Sequence, residues 1–513
     1  MMLLIDLPID CLIHILSLLS PRDIETCNLV SRALHTAIND CLLLQYRILL
    51  DRFGFVPTRN TGSPALELKV SILQEKWTRR NQSQGTQSGA IQLENHTSII
   101  NVQFSRGIII VENTPLTSSL DLKLHELASS NRGTEHKHSL VQVTNLPAGN
   151  IGPIKFEAAL DLLVLVYYQT PNDMRFSLRS LKTGSPHPWA SLPTIINSVV
   201  DISSPGYYTR NVEIVDRQIV HLGESLSRST PLLTTWNWIT GELVTSTPVP
   251  GFSYAFVSKD IFIVASDQTR CGGEFILLAL SVFTLQGVSQ GGAARFVASL
   301  CLPATDGPSR PVFELYCTPP IPIHDPHGSY APARIFCLDH SSHYLALRLT
   351  ARPTVATRID ATGILFIHSL GLRTLAERLA ATRQSPVFVR WDNWGFMTCW
   401  LKVKHPIPWR GIYGHRAAFL TLDPSTGDCE ILVYDLRVTR RPRLRRGVID
   451  LTAQLSLDDQ MDRLFSVKGK PIRHPMLTSS FWVGPDVIPQ GRAREYYFDL
   501  KMDDEHGKHL SIV

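Results

Sequence analysis

The sequence predicts an α+β multidomain chain: a small N-terminal unit of three helices followed by a large all-β body, a degenerate β-propeller in outline. Three observations predict it. Residues 7 to 80 carry helical periodicity and cap signals. Beyond residue 95 about seventeen short β-branched and aromatic runs follow one another, separated by Gly, Pro, Asn and Ser. Between the two lies "RRNQSQGTQSG" (Arg79 to Gly89), polar and aperiodic, which reads as a linker. At 513 residues the chain exceeds the size at which one hydrophobic core stops growing, so a small domain beside a large one, or a repeat array, is expected.

The first helix opens at Leu7-Pro8, where a proline without its N–H costs little. Taking about 100° per residue, Asp10, His14 and Ser17 crowd into roughly 60° of it. The apolar positions Ile9, Cys11, Leu12, Ile13, Ile15, Leu16, Leu18 and Leu19 spread over about 220°. A helix on a single core needs a stripe of only about 100° or somewhat more, so two surfaces have to be covered. Ser20-Pro21-Arg22-Asp23 starts a second helix, with serine as N-cap, proline first and an acid third. A third carries Ala33, Leu34, Ala37, Ile38, Cys41 and Leu42 on one stripe, which the pattern extends through Tyr46 and Leu49. Ser63-Pro64 opens a further helix with Leu66, Val70, Leu73 and Trp77 on one face.

In the body, helical periodicity is convincing only near "LRTLAERLAA". A strand ending in Thr-Gly before a second strand recurs, in "SLRSLKTGSP", "TTWNWITGEL" and, with a longer turn, "LTLDPSTGDCEILVYDL". In the first two copies an apolar residue, Leu181 or Trp238, stands three before the glycine, and Gly184 and Gly241 are 57 residues apart. Glycine supplies the positive φ of such turns. A four-stranded blade takes about 40 to 50 residues, and a ring of about six or seven blades would remove exposed sheet edges.

Composition sets further bounds. A net charge of +5 gives no case for general nucleic-acid binding. Nine cysteines lie scattered without a C-x-x-C pair, which suits buried thiols in a reducing compartment, cytoplasm or nucleus, better than disulfides or zinc. The interrupted, non-basic N-terminus argues against a signal peptide, and "FILLALSVFTL" (Phe275 to Leu285) is too short to span a bilayer, so no membrane association is expected.

The N-terminal stretch resembles the F-box. The matching features are Leu7-Pro8, Ile15-Leu16 and Leu19, Ser20-Pro21 with Asp23-Ile24, Leu29-Val30-Ser31-Arg32 ahead of the third helix, and Ile38 with Asp40. Departures are Cys11 where leucine is common, Ser31 for a frequent cysteine, and Leu34 where many members have tryptophan. The layout of F-box (1–50), helical linker region (51–90) and β-rich body (91–513) is similar to the large F-box families of mushroom-forming fungi. The resemblance implies a three-helix domain docking on the Skp adaptor and through it a cullin, with the body selecting an unknown target protein. It assigns adaptor contact to Leu7, Pro8, Ile9, Leu12, Leu16, Val30 and Arg32, and also to Leu43 and Leu44. The competing reading is a greasy helix that simply packs on the β body.

Chemistry beyond that is sparse, and neither a cofactor, a metal nor a catalytic residue is nominated. Asp339, His340 and His343 have metal-ligand character, but histidines three apart on a strand face opposite ways, and a hairpin explains them better. "HDPHGS" (His324 to Ser329) reads as a surface loop, and "GFSYA" (Gly251 to Ala255) lacks the second glycine of a nucleophile elbow. "RVTRRPRLRRG" (Arg437 to Gly447) suits a solvated hairpin arm, an import signal or an acidic-partner site. Trp236, Trp238, Trp391, Trp394, Trp400 and Trp409 are expected mostly in blade cores. Three functions stay open: a ubiquitin-ligase substrate receptor contributing proximity without catalytic side chains, an adaptor-binding scaffold without a degradation target, and a propeller-based hydrolase.

Overall fold

A computed structural model describes residues 7–57 and 65–81, and in the body 99–105, 108–113, 120–126, 137–146, 150–170, 173–197, 212–224, 230–251, 253–266, 269–271, 274–276, 279–302, 311–317, 336–338, 343–351, 361–382, 386–403, 412–413, 415–422, 429–436, 476–483, 498–501 and 509–512. The N-terminal unit holds α1 (Ile9–Leu18), α2 (Pro21–Cys27), α3 (Arg32–Asp40) and α4 (Leu42–Phe53), followed by α5 (Leu66–Asn81). The expected continuous third helix is therefore two. Cys41 is extended, φ −94° and ψ 103°, and breaks the run between α3 and α4. The break lets α4 serve two cores. Leu44 and Ile48 join Leu12, Leu16, Ile24, Leu34 and Ile38, whereas Tyr46, Leu49, Leu50 and Phe53 pack with Val70 and Leu73 of α5.

Among the described residues the body is a succession of six sheets of four or five strands, antiparallel but for one strand added to the fourth, at 99–143, 150–197, 212–248, 253–301, 311–403 and 412–483, with two-stranded hairpins at 269–276 and 498–512. Each sheet runs its first four strands up and down in chain order, which is the plan of propeller blades. Among the described residues, five apolar clusters lie between consecutive sheets of the body. Ile110 and Leu122 of the first meet Leu163 and Leu165 of the second, whose Val164 and Phe176 face Val212 and Trp236 of the third. Val220 and Leu222 then meet Phe262 and Val264 of the fourth, and Ile263 and Val282 meet Leu345 and Leu347 of the fifth. Ala346 and Phe366 pack on Ile412 and Ala417 of the sixth. This explains why "LLVLVY" and "IFIVA" are apolar without alternation: both faces of the strand are covered.

One register repeats. The residue following the third strand donates its N–H to the carbonyl of the residue preceding the second: Leu181 to Asp161 (2.8 Å), Trp238 to Arg217 (3.0 Å), Leu285 to Asp260 (2.7 Å), Ser369 to His343 (2.9 Å) and Leu436 to His415 (2.7 Å). Leu181, Trp238, Leu285 and Leu436 are buried and plug the ends of their sheets. The expected Thr-Gly turns hold for the first two copies, with Gly184 and Gly241 at φ +70° and +78°, and the third lies outside the described residues. Trp236, Trp238, Trp394 and Trp400 are buried, Trp391 is half-buried, and Trp409 lies outside the described residues.

The fifth sheet departs from the plan. After its third strand the chain leaves as α6 (Ser369–Ala381), adds Val387–Val389 in parallel to the outer strand of the fourth sheet, and returns as Thr398–Val403. This is the helix legible in "LRTLAERLAA". Leu372, Leu375, Ala376 and Ala380 seat it on the fourth and fifth sheets, and Arg295 caps the Ala380 carbonyl at 3.0 Å.

The two parts are joined by more than the linker. Gly54, at φ +67°, turns the chain out of α4 into Phe55–Pro57, which pairs antiparallel with Phe336–Leu338. Phe55 stacks on Phe336 (6.0 Å, 6°) and on Phe53 (5.5 Å), and the Arg416 guanidinium of the sixth sheet lies 5.5 Å from the Phe53 ring.

Between the second and third sheets His221 is fully buried beside Phe176 (6.3 Å), with no hydrogen-bond partner on either ring nitrogen. Burial pushes its pKa from 6.5 down to about 3. The unfolded chain therefore binds a proton that the folded chain refuses, and stability falls as the pH drops from 6.5 toward 3. Between pH 6.5 and 4.5 this site is expected to cost roughly 2 to 3 kcal/mol. His221→Phe is expected to flatten the melting temperature against pH over that window, and an unchanged slope would contradict the assignment.

Candidate functional site

The helical unit is built around two capped turns. Ser20 caps α2, its Oγ accepting from the Asp23 N–H at 3.2 Å and donating to the Asp23 carboxylate at 2.6 Å. Ser31 caps α3 by accepting from the Leu34 N–H at 3.2 Å. Between α2 and α3 the N–H groups of Leu29 and Val30 donate to the Thr26 and Cys27 carbonyls, each at 3.0 Å. That turn is thus fixed by its own backbone, and it carries two apolar side chains outward: Leu29 is 86% exposed and Val30 70%. Arg47 of α4 reaches the Ser17 and Leu19 carbonyls at the end of α1, and Arg52 pairs with Glu25 of α2 at 2.6 Å.

α1 divides as its pattern demands. Leu12 and Leu16 are in the core, and Ile13, Ile15 and Leu19 are half-buried. Ile9 is 53% exposed and Leu18 is also exposed; nine residues apart, they stand about 180° around the helix from each other. The unit's own fold covers one side of α1 and leaves apolar flanks open. Monomers scatter single exposed apolar residues freely. Here Pro8, Ile9, Cys11, Leu18, Leu29, Val30, Leu42 and Leu43 are all exposed within one small unit.

Of the residues nominated from sequence, Pro8, Ile9, Val30, Arg32 and Leu43 are exposed and Leu7 is half-buried. Leu12, Leu16 and Leu44 are enclosed in the unit's core and present no side chain to solvent, so they build the platform. Sequence reasoning left out Leu18, Leu29 and Leu42. Leu29 stands directly before Val30 in the quoted Leu-Val-Ser-Arg stretch, so its signal was there to be read.

Elsewhere, buried Asp161, Ser180 and His187 come together in the second sheet. Ser180 donates to Asp161 at 2.7 Å, Asp161 also accepts from the Lys182 N–H at 3.0 Å, and His187 contacts the Leu160 carbonyl at 3.1 Å and accepts from the Trp189 N–H at 3.2 Å. Both imidazole nitrogens are thus engaged with main chain, and burial pushes the His187 pKa down. The group braces a turn; it is not arranged as nucleophile and base. Gly251 of "GFSYA" lies two residues ahead of the strand Ser253–Ser258, where a Cβ would stand 1.9 Å from the Ala265 carbonyl oxygen, which accounts for glycine by close packing. Among the described residues no group of three His, Cys, Asp or Glu is placed to hold a metal ion, and no helix is long and apolar enough to cross a membrane. Asp339, His340, His324–Ser329 and Arg437–Gly447 lie outside the described residues.

No curated protein matches the chain. Among solved structures, an uncharacterised protein of Listeria monocytogenes overlaps 68% of this chain and 83% of its own at 8% identity and a TM-score of 0.38. Hydrazine synthase of Kuenenia stuttgartiensis overlaps 83% of this chain and 99% of its own at 10% identity and 0.36. The β-propeller domain of the Trilobed protease of Pyrococcus furiosus overlaps 68% and 98% at 8% identity and 0.28. At these scores the overlaps carry no inference, and the sheet plan rests on the register above. Residues 4–51, the stretch that holds α1 to α3 and most of α4, match the family model of the F-box-like domain. The capped helices with their outward apolar side chains are therefore an F-box-like domain, carried at residues 4–51 of this chain.

Proposed function

We propose that this protein is a substrate receptor of a cullin-RING ubiquitin ligase of the SCF type. The F-box-like domain binds the Skp adaptor, and through it a cullin, while the β body holds a target protein. The observation that carries the reading is the hydrogen-bonded Leu29-Val30 turn, exposed beside the uncovered flanks of α1 in a domain of the F-box-like family. Adaptor contact falls to Pro8, Ile9, Leu29, Val30, Arg32 and Leu43, with Leu7 at the margin. Complete burial of such aliphatic side chains is worth roughly 1.5 to 3 kcal/mol each before the costs of association, so four or five suffice for a firm complex.

The strand pairing at Phe55–Pro57 and the Phe53-Phe55-Phe336 stack support the second half of the reading. They hold the body in fixed relation to the adaptor platform, so a bound target is held near the ubiquitin-charged enzyme and its lysines gain effective concentration. No side chain of this chain is needed for the chemistry. Cys11, Cys27, Cys41, Cys301 and Cys399 are free thiols, as suits work in the cytoplasm or nucleus.

Affinity purification of the full chain, with added ubiquitin, activating enzyme, conjugating enzyme and ATP, tests the reading. Adaptor and cullin should co-purify, and a further bound protein should become ubiquitylated. Adaptor without cullin would point to a scaffold, and recovery of neither would overturn the proposal.

A further inference from the structure

Among the described residues the repeat of the body is broken in one place. Four sheets plug the position after their third strand with a buried Leu or Trp, but in the fifth that position is Ser369, where the chain departs into α6. An open cleft of about 520 Å³ lies there, between α6 and the junction of the fifth and sixth sheets. Leu370, Thr374 and Arg378, at helical spacing on a single face of α6, line it together with Phe396 and Met397. Phe396 is 61% exposed and Leu370 41%.

The polar groups of the floor are already engaged. The Tyr344 hydroxyl donates to the Leu436 carbonyl at 3.1 Å, and His368 Nδ1 accepts from the Gly371 N–H at 3.3 Å while its ring packs edge-on against Tyr344 at 5.1 Å. Among the described residues no acidic residue lines the cleft, and Glu377, next to Arg378 in the chain, is taken by Arg373 at 2.8 Å. The cleft therefore offers two apolar lips and one exposed guanidinium without a carboxylate beside it. The chain segment that follows Leu436 in sequence carries six arginines between Arg437 and Arg446, the same sign as Arg378, so the charge that complements the cleft is acidic.

We propose that this cleft is the docking site for an extended acidic segment of a partner protein, which sets a large apolar side chain between Leu370 and Phe396 and a carboxylate on Arg378. The proposal rests on the reading of the β body as the target-holding part and gives that part a place and a chemistry. Gly371 supplies a second handle. A Cβ there would stand 2.8 Å from Met397 Sδ, the movable end of a side chain, so Gly371→Leu fills the cleft without requiring the backbone to shift.

An array of synthetic peptides, each with one Leu, Phe or Trp flanked by Asp or Glu, and a matched set flanked by Lys, is probed with the full chain and with Arg378→Glu and Gly371→Leu. The full chain should bind the acidic set and Gly371→Leu should lose it. Arg378→Glu should bind the acidic set about tenfold more weakly and gain the Lys-flanked set. Equal binding of both sets, no binding, or binding unchanged in both variants would overturn the proposal. Adaptor capture by the same three preparations is expected to be equal. It reports the fold and the ligase reading separately, so failure at the cleft is distinguishable from failure at the F-box.

Discussion

Ile9→Asp combined with Val30→Asp is expected to abolish capture of the Skp adaptor while leaving the helical unit folded. Both side chains are exposed in the free chain, so a carboxylate at either is solvated and costs the fold little. In a complex the same carboxylates would be trapped against an apolar partner without a counter-charge, at several kcal/mol together, a loss of affinity of at least about a hundredfold. Leu16→Asp is the contrasting control. Leu16 sits in the core with Ile24, Leu34 and Ile38, and an unpaired carboxylate there should melt the unit outright, so loss of adaptor in that variant says nothing about contact. Helical circular dichroism separates the two cases: retained signal with lost capture for the surface pair, lost signal for the core variant.

Trp238→Ala should give the largest stability loss of any single truncation in the body. The ring is fully buried at the end of the third sheet, donates from Nε1 to the Asp216 carbonyl at 3.2 Å, meets His187 edge-on at 5.0 Å and stacks on Trp189 at 6.4 Å. Truncating a buried tryptophan costs about 3 to 5 kcal/mol, because the lost contacts leave a cavity between two rigid sheets. Near-ultraviolet circular dichroism should show the melting temperature of the body lowered by about 3 to 6 °C. A shift within a degree or two would mean that the plug at the sheet end bears little of the packing.

Much of this was legible in the sequence, for identifiable reasons. The cap serines Ser20 and Ser31 precede helices whose first N–H groups they accept, and such local signals survive whatever the tertiary context. Unbroken apolar runs such as Leu162 to Val166 report strands covered on both faces. The break at Cys41 was not legible, because the apolar stripe runs on through it. Only the existence of two cores, one on each side of α4, requires the turn. The pairing of Phe55–Pro57 with Phe336–Leu338 joins three-residue segments remote in sequence, too short to carry a pattern. In the F-box-like domain, residue type alone could not separate the buried Leu12, Leu16 and Leu44 from the exposed Ile9, Val30 and Leu43, since all are aliphatic and the distinction lies in which side of each helix meets its neighbours. The helix in "LRTLAERLAA" was visible as an anomaly among strands; the cleft beside it follows only once the plug of the other sheets is seen to be missing there.

Titration of purified Skp adaptor into the full chain by calorimetry at several temperatures addresses the central physical issue, whether the oily flanks of the amino-terminal helices are shielded by a second polypeptide. Saturation at one adaptor per chain with a negative heat-capacity change, both lost in the Ile9→Asp, Val30→Asp variant, is the expected result. No heat of binding, or a heat-capacity change untouched by those two substitutions, would contradict it.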